Sequence, residues 1–467
     1  MAFQDLERFG DNEAVRTPDG GHCGYADLAR HADAFARALG PGKRLVFLLC
    51  GNNLASLAAY VGCLRSGHVP LLLQADIAGE QLASLVATYR PWAIWRPGAD
   101  PDGSILHRFA DYALREADPA ASPRLHPELG LLLSTSGSTG SPKLVRLSRA
   151  NLEANAASIA QFLGLGPDDR AITVLPISYS YGLSVINSHL GVGATLLLTD
   201  ETVMQSGFWD FFRREAGTSL AGVPYTYKMF QRLDIFRRMD LPSLRTLTQA
   251  GGRLPAADVG RIAAWSRERG VRFFVMYGQT EATARMSYLP CEQAVEKSES
   301  VGIAIPGGRF TLLDEDGREI VIPDQVGELV YHGPNVSLGY ATAAEDLALG
   351  DLNHGRLSTG DMARWDADGY VYITGRLKRF IKVTGNRIGL DDVESRLQAA
   401  GLAAICGGRD DLLCIATTDP RAVEEIRAVI GARLGLHHSL YRVLVVPAIP
   451  RNGAGKILYA DLFAELL

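Results

Sequence analysis

The segment with the densest concentration of reactive and ligand-binding groups is STSGSTGSPK, residues 134–143, which follows an apolar run typical of a buried strand. Its glycines let backbone N–H groups approach anionic oxygens, its hydroxyls add hydrogen-bond donors, and Lys143 supplies a positive charge. A flexible Gly/Ser linker is the alternative, but the segment precedes LVRLSRANLEANAASIAQFL, which we predict to be a helix. We therefore predict a loop that binds a polyphosphate.

Two common phosphate-binding motifs do not fit this loop. A P-loop NTPase needs a lysine directly after the second glycine of GxxxxGK, followed by Ser or Thr. Here Gly140 is followed by SPKL, so the spacing is wrong. A protein kinase would also carry HRDLxxxN and DFG segments, and the sequence contains neither.

Five further segments carry groups suited to the same ligand. They are AGGRLP (250–255), YGQTEAT (277–283), STGD (358–361), GRLKRFIKVTGNRI (375–388) and RNGAGKI (451–457). Together with loop 134–143, and in this order, they resemble the signatures of the adenylate-forming superfamily of acyl-CoA synthetases, adenylation domains and luciferases. The resemblance spans residues 134–457, and it implies an enzyme that activates a carboxylic acid with ATP.

The resemblance also implies which residues bind the nucleotide phosphates. The loop residues that would hold them are Thr135, Ser136, Gly137, Ser138, Thr139, Gly140 and Lys143. Thr280 would contact the α-phosphate, and Glu281 would coordinate Mg²⁺. A single glutamate suits this role, because a hard dication on phosphate oxygens commonly takes only one or two protein carboxylates.

The nucleoside would be bound by residues of three segments. By resemblance, Tyr277 would stack near the adenine, and the backbone of Gly251 and Gly252 would let the base approach closely. Asp361 would accept hydrogen bonds from the ribose hydroxyls, with Arg376 reinforcing it. A core tyrosine and an ordinary Thr-Gly-Asp turn are the alternatives for Tyr277 and Asp361.

Acyl transfer from a free acid needs prior activation, because a carboxylate is a poor electrophile. The catalytic residues implied by the resemblance are Lys456, Thr280 and Glu281. Lys456 matches the lysine that approaches the acid carboxylate and the α-phosphate, and the glycines at 453 and 455 suit a mobile loop that delivers it. The alternative is an exposed lysine near the C-terminus.

The acid itself is expected in an apolar pocket. The candidate lining residues are Tyr179, Tyr181, Gly182, Tyr225, Met229 and Gly251. Segment 175–187, LPISYSYGLSVIN, contains no acidic residue that could pair with an α-ammonium group, so an α-amino acid is disfavoured. We expect a fatty or aromatic acid.

The second half-reaction needs a thiol acceptor, which is either coenzyme A or the phosphopantetheine arm of a carrier protein. By resemblance, Gly385 and Arg387 would border the channel for the pantetheine thiol. Lys378 occupies the hinge about which a C-terminal domain would rotate between two poses. We favour coenzyme A over a carrier protein.

The elements that position these residues follow an α/β pattern. Apolar runs such as RLVFLLC (44–50), VPLLL (69–73) and LGLLLSTS (129–136) alternate with amphipathic stretches of helical length. We predict a large N-terminal domain, residues 1–375, made of layered parallel-sheet subdomains with a β-rich subdomain at about 305–375. A small mobile α+β domain would follow at 376–467.

Composition limits the remaining function classes. Lys plus Arg is 47 and Asp plus Glu is 52, so the net charge of −5 offers no general attraction for nucleic acid. No apolar run is long enough for membrane insertion, and the N-terminus does not resemble a signal peptide. The six cysteines form no CxxC pair, and we expect a cytoplasmic protein with small core thiols.

The sequence thus predicts an AMP-forming acid–thiol ligase that gives a thioester, most simply an acyl-CoA. A stand-alone adenylation enzyme that loads a carrier protein is the alternative within the same class. A non-catalytic nucleotide-binding regulator is the alternative of another class. The regulator is disfavoured by the joint presence of six residues: Lys143, Thr280, Glu281, Asp361, Arg376 and Lys456.

Overall fold

The chain folds into two compact units. The computed structural model describes residues 5–98, 104–117, 122–134, 143–377, 379–383, 386–434, 436–451 and 457–464. The first unit consists of Met1–Arg309 with Tyr331–Leu357, and the second of Phe310–Val330 with Ser358–Leu467. This division differs from the predicted boundary at residue 375. Segments 310–330 and 358–376, which form most of a five-stranded sheet, belong to the same unit as the C-terminal residues. Rotation about Lys378, which lies outside the described residues, stays a prediction.

The helices are numbered along the chain. They are α1 Tyr25–Leu39, α2 Leu54–Ser66, α3 Gly79–Tyr89, α4 Arg149–Leu163, α5 Ser180–Leu190, α6 Ser206–Arg214, α7 Pro224–Arg232, α8 Ile235–Arg238, α9 Ala256–Glu268, α10 Leu390–Ala399, α11 Val423–Leu434 and α12 Tyr459–Leu462. Among the described residues, none of these helices is both long and apolar enough to cross a bilayer.

The strands of the first half are mostly short. They are β1 Glu13–Arg16, β2 His22–Gly24, β3 Leu45–Cys50, β4 Val69–Gln74, β5 Ala93–Pro97, β6 Ile105–Phe109, β7 Tyr112–Glu116, β8 Leu129–Ser134, β9 Leu144–Ser148, β10 Arg170–Ile172, β11 Thr195–Leu197, β12 Ser219–Gly222, β13 Thr246–Gln249 and β14 Arg272–Tyr277. The apolar runs predicted as strands at 44–50, 69–73 and 129–136 thus contain strands β3, β4 and β8 within their described residues.

The remaining strands follow β14. They are β15 Ser287–Leu289, β16 Ile303–Ala304, β17 Arg309–Leu313, β18 Glu319–Ile320, β19 Gly327–His332, β20 Gly339–Ala341, β21 Arg356–Trp365, β22 Val371–Arg376, β23 Phe380–Val383, β24 Asn386–Gly389, β25 Ile405–Arg409, β26 Leu412–Thr417 and β27 Tyr441–Val445. The predicted antiparallel β texture after residue 305 is confirmed by the pairing of β17 with β18 and of β21 with β22.

A nine-stranded sheet of the first unit carries two of the predicted ligand-binding turns. Its order is β16-β15-β14-β13-β12-β10-β11-β1-β2, and β12, β13 and β14 run parallel. The carboxyl ends of parallel strands meet at one sheet edge, where ligands bind in open α/β folds. The AGG turn follows β13 and the GQTE turn follows β14, so both lie at that edge.

An eight-stranded sheet, in the order β20-β9-β8-β4-β3-β5-β7-β6, corrects one prediction. Residues 144–148, expected to begin a helix, form strand β9, which pairs antiparallel with β8. Helix α4 begins only at Arg149 because Ser148 caps it: the Ser148 hydroxyl accepts from the Asn151 N–H at 3.0 Å, and the Asn151 side chain accepts from the Ser148 N–H at 2.8 Å. The predicted phosphate loop therefore joins two antiparallel strands rather than a strand and a helix.

The core of the first unit includes two helices that are buried on nearly every face. Helix α5 buries all eleven of its residues, and α2 buries its length from Ala55 to Leu64. The Tyr60 hydroxyl of α2 donates to the Asn187 side chain of α5 at 3.0 Å, so the polar atoms between these helices are paired. This rigid packing fixes the position of Tyr179 and Tyr181 at the start of α5.

The second unit has a core of its own. The three-stranded sheet β25-β26-β27 and the β23-β24 hairpin pack with α10 and α11 around residues such as Val383, Leu397 and Ile415. Arg379 lies beside this core and forms ion pairs with Asp391 and Glu394. These contacts give the C-terminal residues the α+β character that the sequence predicts.

Candidate active site

The turn after β14 holds the predicted Thr280 and Glu281 in a conformation that few residues could adopt. Residues Thr280–Ala282 form a short 3₁₀ helix, and Thr283 and Ala284 follow with positive φ values of 58° and 96°. A Cβ at Gly278 would lie 1.7 Å from the Ala284 carbonyl oxygen, so only glycine fits there. The strain is concentrated beside the predicted catalytic groups, as is common at functional sites.

Two buried asparagines that sequence reasoning missed clamp this turn. The Asn335 amide donates to the Ala282 and Arg285 carbonyls at 2.8 and 3.2 Å, and the Asn155 amide donates to the Arg285 carbonyl at 2.9 Å. The Thr283 hydroxyl donates back to the Asn335 carbonyl at 2.6 Å. The only sequence signal was the pair of asparagines four residues apart on α4, Asn151 and Asn155, which lie on one helix face.

Tyr340 of β20 touches two of the predicted site residues. Its hydroxyl donates to the Glu281 carboxylate at 2.7 Å, and the Lys143 ammonium lies 3.4 Å from the centre of its ring. Burial, and secondarily the neighbouring carboxylate, raise the pKa of Tyr340, so it remains a hydroxyl donor at neutral pH. Lys143 therefore contacts the ring of Tyr340, and Glu281 contacts the hydroxyl of the same side chain.

Thr280, predicted to contact the α-phosphate, is linked to the acyl-pocket helix. Its hydroxyl lies 3.0 Å from the Ser180 hydroxyl, and Ser180 is the first residue of α5. Tyr179 occupies the N-cap position of the same helix, without a capping hydrogen bond from its side chain. The residues expected to bind nucleotide and acid thus meet at the N-terminus of α5.

Two tyrosines of the predicted acyl pocket, Tyr179 and Tyr181, lie against strand β13 and the AGG turn that follows it. The Tyr181 hydroxyl lies 2.9 Å from the Thr248 hydroxyl of β13, and burial raises the pKa of Tyr181 to about 12. Gly251 has a φ of +79°, and a Cβ there would meet the Tyr179 hydroxyl at 2.7 Å. Glycine at this position therefore leaves room for Tyr179 to lie against the AGG turn.

The other predicted pocket residues are placed less uniformly. Tyr225 is 55% exposed at the start of α7, and Met229 is half-buried one turn later. Gly182 is buried, and a Cβ there would lie 2.3 Å from the Pro176 carbonyl oxygen, so close packing of α5 explains this glycine. Tyr277 is half-buried at the end of β14, where its hydroxyl accepts from the Gln279 amide at 3.3 Å.

Asp361 and Arg376 lie in the second unit and are directly paired. They face each other in the register of β21 and β22, and the Arg376 guanidinium donates to the Asp361 carboxylate at 3.1 Å. Asp361 is only 3% exposed, and its N–H donates to the Thr359 hydroxyl at 3.1 Å. Arg376 thus contacts Asp361, and the ribose-binding role of the two residues stays a prediction.

Several predicted residues fall outside the described ranges. They are Thr135, Ser136, Gly137, Ser138, Thr139, Gly140, Lys378, Gly385 and Lys456. Arg387 lies on β24 opposite Lys382. Gly252 is exposed beside Gly251 in the AGG turn. The roles given to all these residues stay predictions.

The fold and this arrangement are those of an α/β enzyme with a nucleotide-type site at the carboxyl edge of a parallel sheet. Residues 3–341 match the profile of the family described as AMP-binding enzyme, and the chain belongs to that family. The predicted membership of the adenylate-forming superfamily is therefore confirmed.

Individual relatives agree with this assignment. An indoleacetate–CoA ligase of Aromatoleum aromaticum is 27% identical, over 96% of this chain and 94% of that protein. A feruloyl-CoA synthase of an Amycolatopsis species is 29% identical, over 94% and 93%. The solved structure of an o-succinylbenzoate CoA synthetase from Bacillus subtilis, in complex with an acyl-adenylate, superposes with a TM-score of 0.79 at 21% identity, covering 99% of this chain and 97% of that one. The α/β fold class is confirmed, and the predicted enzyme class, an AMP-forming acid–thiol ligase, agrees with the names of these relatives.

Proposed function

We propose that this protein converts a carboxylic acid and ATP into an acyl-adenylate and pyrophosphate, and then transfers the acyl group to the thiol of coenzyme A. The observation that carries the proposal is the contact of Tyr340 with both Glu281 and Lys143 at the sheet edge. The names of the relatives, which include ligases and synthases of acyl-CoA thioesters, support coenzyme A as the acceptor.

The residues present suit a magnesium nucleotide. The Tyr340 hydroxyl donates a hydrogen bond to Oε1 of the Glu281 carboxylate. Glu281 is half-buried and is not part of the fully buried core. Within the described part of the chain, no cluster of three or more His, Cys, Asp or Glu side chains could hold a metal. A bound Mg²⁺ would therefore rely on Glu281 together with phosphate oxygens and water, and it would neutralise charge on the polyphosphate.

In the first half-reaction, a carboxylate oxygen of the acid attacks the α-phosphorus of ATP, and the bond from that phosphorus to the bridging oxygen breaks. Pyrophosphate leaves with the electron pair. Thr280 would donate a hydrogen bond to α-phosphate oxygens, and Lys143 would add a positive charge where negative charge develops. Lys456 would supply the second cation at the attacking carboxylate.

In the second half-reaction, the thiol sulfur attacks the acyl carbonyl, the carbon–oxygen bond to AMP breaks, and the thiol proton passes to solvent. Gly385 and Arg387 would border the path of the thiol. Asp361 and Arg376 would hold the ribose of the nucleotide through both steps. The buried Tyr181 and half-buried Tyr179 would flank a fatty or aromatic acyl group.

Acid-dependent exchange of labelled pyrophosphate into ATP tests the first half-reaction. We expect exchange with at least one member of a panel of aliphatic and aromatic acids, and a loss of about 100-fold or more in Glu281→Gln. Glu345→Gln, which alters an exposed carboxylate paired with Arg90, is the matched control and should retain activity. Binding of ATP without exchange for any acid would instead support a nucleotide-binding regulator.

The acceptor is identified by a second measurement on the active acid. Thioester formation is followed by mass spectrometry with free coenzyme A and, in parallel, with a carrier protein that bears phosphopantetheine. A faster reaction with coenzyme A supports the proposal. Transfer to the carrier protein alone would assign the chain to the stand-alone adenylation enzymes.

A further inference from the structure

Arg285 is a buried cation that the functional assignment does not use. Arg285 is only 1% exposed. Burial lowers the pKa of its guanidinium to about 10, so the side chain stays charged at neutral pH. Its Nε donates to the Ser184 hydroxyl at 3.0 Å, and its Nη1 contacts the Met276 sulfur at 3.6 Å. In the described ranges, Arg285 forms no ion pair, and its hydrogen bonds to other side chains come from Nε and Nη1.

Arg146 is a second buried arginine, and it is a comparison for Arg285 because, among the described residues, its hydrogen bonds go only to backbone carbonyls. It is 0% exposed, and its three nitrogens donate to the backbone carbonyls of Leu338, Tyr340, Leu349 and Gly350. Every side-chain nitrogen of Arg146 thus has an oxygen acceptor. Arg285 has one oxygen acceptor and one weak sulfur acceptor, so its guanidinium has fewer oxygen acceptors than that of Arg146.

The position of Arg285 connects it to the predicted acyl pocket. Its guanidinium carbon lies 5.1 Å from the centre of the Tyr181 ring, and Ser184 lies one turn after Tyr181 on α5. The other titratable group near it, His189, has its pKa lowered to about 4 by burial and is neutral. Helix α5 carries no acidic residue, so it offers no carboxylate to balance the charge.

We propose that Arg285 receives a second anionic group on the acid that the enzyme activates, so that the preferred substrates are dicarboxylic acids or acids with a comparable anionic tail. This inference rests on the proposed function and narrows its substrate class. The planar guanidinium can donate from Nη1 and Nη2 to both oxygens of a carboxylate, which a neutral tail cannot accept as strongly. The tyrosine rings would contact the carbon chain, and Arg285 would select its far end.

Matched acids test the proposal on the unmodified enzyme. Each dicarboxylic acid of three to eight carbons, together with terephthalic acid, is compared in pyrophosphate exchange with its monomethyl ester and with the monocarboxylic acid of equal length. We expect kcat/KM to favour the diacid by about 10-fold or more for at least one set, because a site built for a charged acceptor rejects analogues that lack it. Equal or better use of the neutral-tailed acids would overturn the role of Arg285 and leave the proposed function intact. Exchange with no acid at all would overturn both.

Variants separate recognition from a purely structural role. Arg285→Met should lose about 10- to 100-fold in kcat/KM for the diacid while keeping or gaining activity with the neutral-tailed acid. Arg285→Lys should retain part of the diacid preference. Arg65→Met, which removes a largely buried arginine paired with Glu7 and Asp33, is the control and should leave the preference unchanged. A parallel loss with both acids in Arg285→Met, with its preference unchanged, would contradict the proposal.

Discussion

The Tyr340 hydroxyl lies 2.7 Å from the Glu281 carboxylate, although 59 residues separate the two in the chain. Tyr340 is placed by β20, which pairs antiparallel with β9 so that Tyr340 faces Val145. Arg146 reinforces the same strand through the Tyr340 carbonyl at 3.0 Å. The hydrogen bond fixes the orientation of the carboxylate that is proposed to bind Mg²⁺.

Tyr340→Phe is expected to weaken the use of Mg²⁺. The phenyl ring keeps the contact with Lys143, while the hydrogen bond that orients Glu281 is lost. Removing such an outer partner typically costs about 10-fold or more in metal affinity. The apparent Mg²⁺ constant for pyrophosphate exchange, measured at saturating ATP and acid, should rise accordingly.

Tyr89→Phe is the matched control for this change. The Tyr89 hydroxyl donates to the Ala341 carbonyl at 2.8 Å, so it supports the same strand without touching Glu281. We expect a modest loss of stability, about 1 kcal/mol, and an unchanged Mg²⁺ constant. An equal Mg²⁺ effect in both variants would show that Tyr340 acts only through the strand.

Asp361→Asn is expected to remove discrimination between ATP and 2′-deoxy-ATP. The wild-type carboxylate would accept from ribose hydroxyls, and an amide accepts them less well and can repel them through its NH₂ group. We predict that KM for ATP rises about 10-fold in the variant, while KM for 2′-deoxy-ATP changes less. Initial rates of exchange with each nucleotide provide the measurement.

Asp324→Asn controls for the loss of a charge in the same unit. Asp324 pairs with Arg364 at 2.5 Å on an exposed surface, and such pairs contribute little to stability. Its nucleotide preference should match the wild type. Discrimination that persists in Asp361→Asn would remove Asp361 from the ribose site.

The sequence was informative where chemistry and local structure coincide. The predicted phosphate loop was expected to follow a buried strand, and β8 spans Leu129–Ser134 and leads directly into it. Residues 144–148 were misassigned, because their pattern LVRLS fits the start of a helix as well as a strand. Only the pairing with β8 and the Ser148 cap decide between the two.

Contacts between distant segments could not be predicted in the same way. Nothing near Tyr340 in the sequence shows that β20 brings it to Glu281, and nothing near Asn335 shows that it clamps residues 282–285. Arg285 looked like an ordinary arginine after the TEAT segment, because the sequence does not show its contacts with Ser184 of α5 and Met276 of β14. The candidate pocket was therefore expected to be apolar, and Arg285 was not among its predicted lining residues.

Lys456→Ala is expected to abolish most adenylation while ATP binding is kept. The resemblance assigns Lys456 to the attacking carboxylate and the α-phosphate, so its loss should act mainly on the transition state. Exchange should fall by about 100-fold or more, whereas the dissociation constant of ATP from equilibrium binding should change only a few-fold. Lys382→Ala, at an exposed position of β23, is the control. Near-normal exchange in Lys456→Ala would contradict the assignment.

His189 should make the first unit less stable in mild acid. Its Nδ1 lies 2.8 Å from the Val185 carbonyl, its Nε2 lies 3.2 Å from the Ser219 hydroxyl, and burial lowers its pKa from 6.5 to about 4. In the unfolded chain His189 therefore binds a proton below about pH 6.5, whereas in the folded chain it binds one only below about pH 4. The free energy of unfolding therefore falls as the pH drops through this window.

The measurement is the melting temperature at pH 7.5 and pH 5.0 for wild type and His189→Asn. The pKa difference corresponds to at most about 3 kcal/mol for full protonation of the unfolded state, and about half of that is reached at pH 5. His189→Asn should start from a lower melting temperature but lose less of it on acidification. His22→Asn, at an exposed position of β2, should keep the wild-type slope. If the acid-induced loss in His189→Asn equals that of the wild type, another group carries the pH dependence.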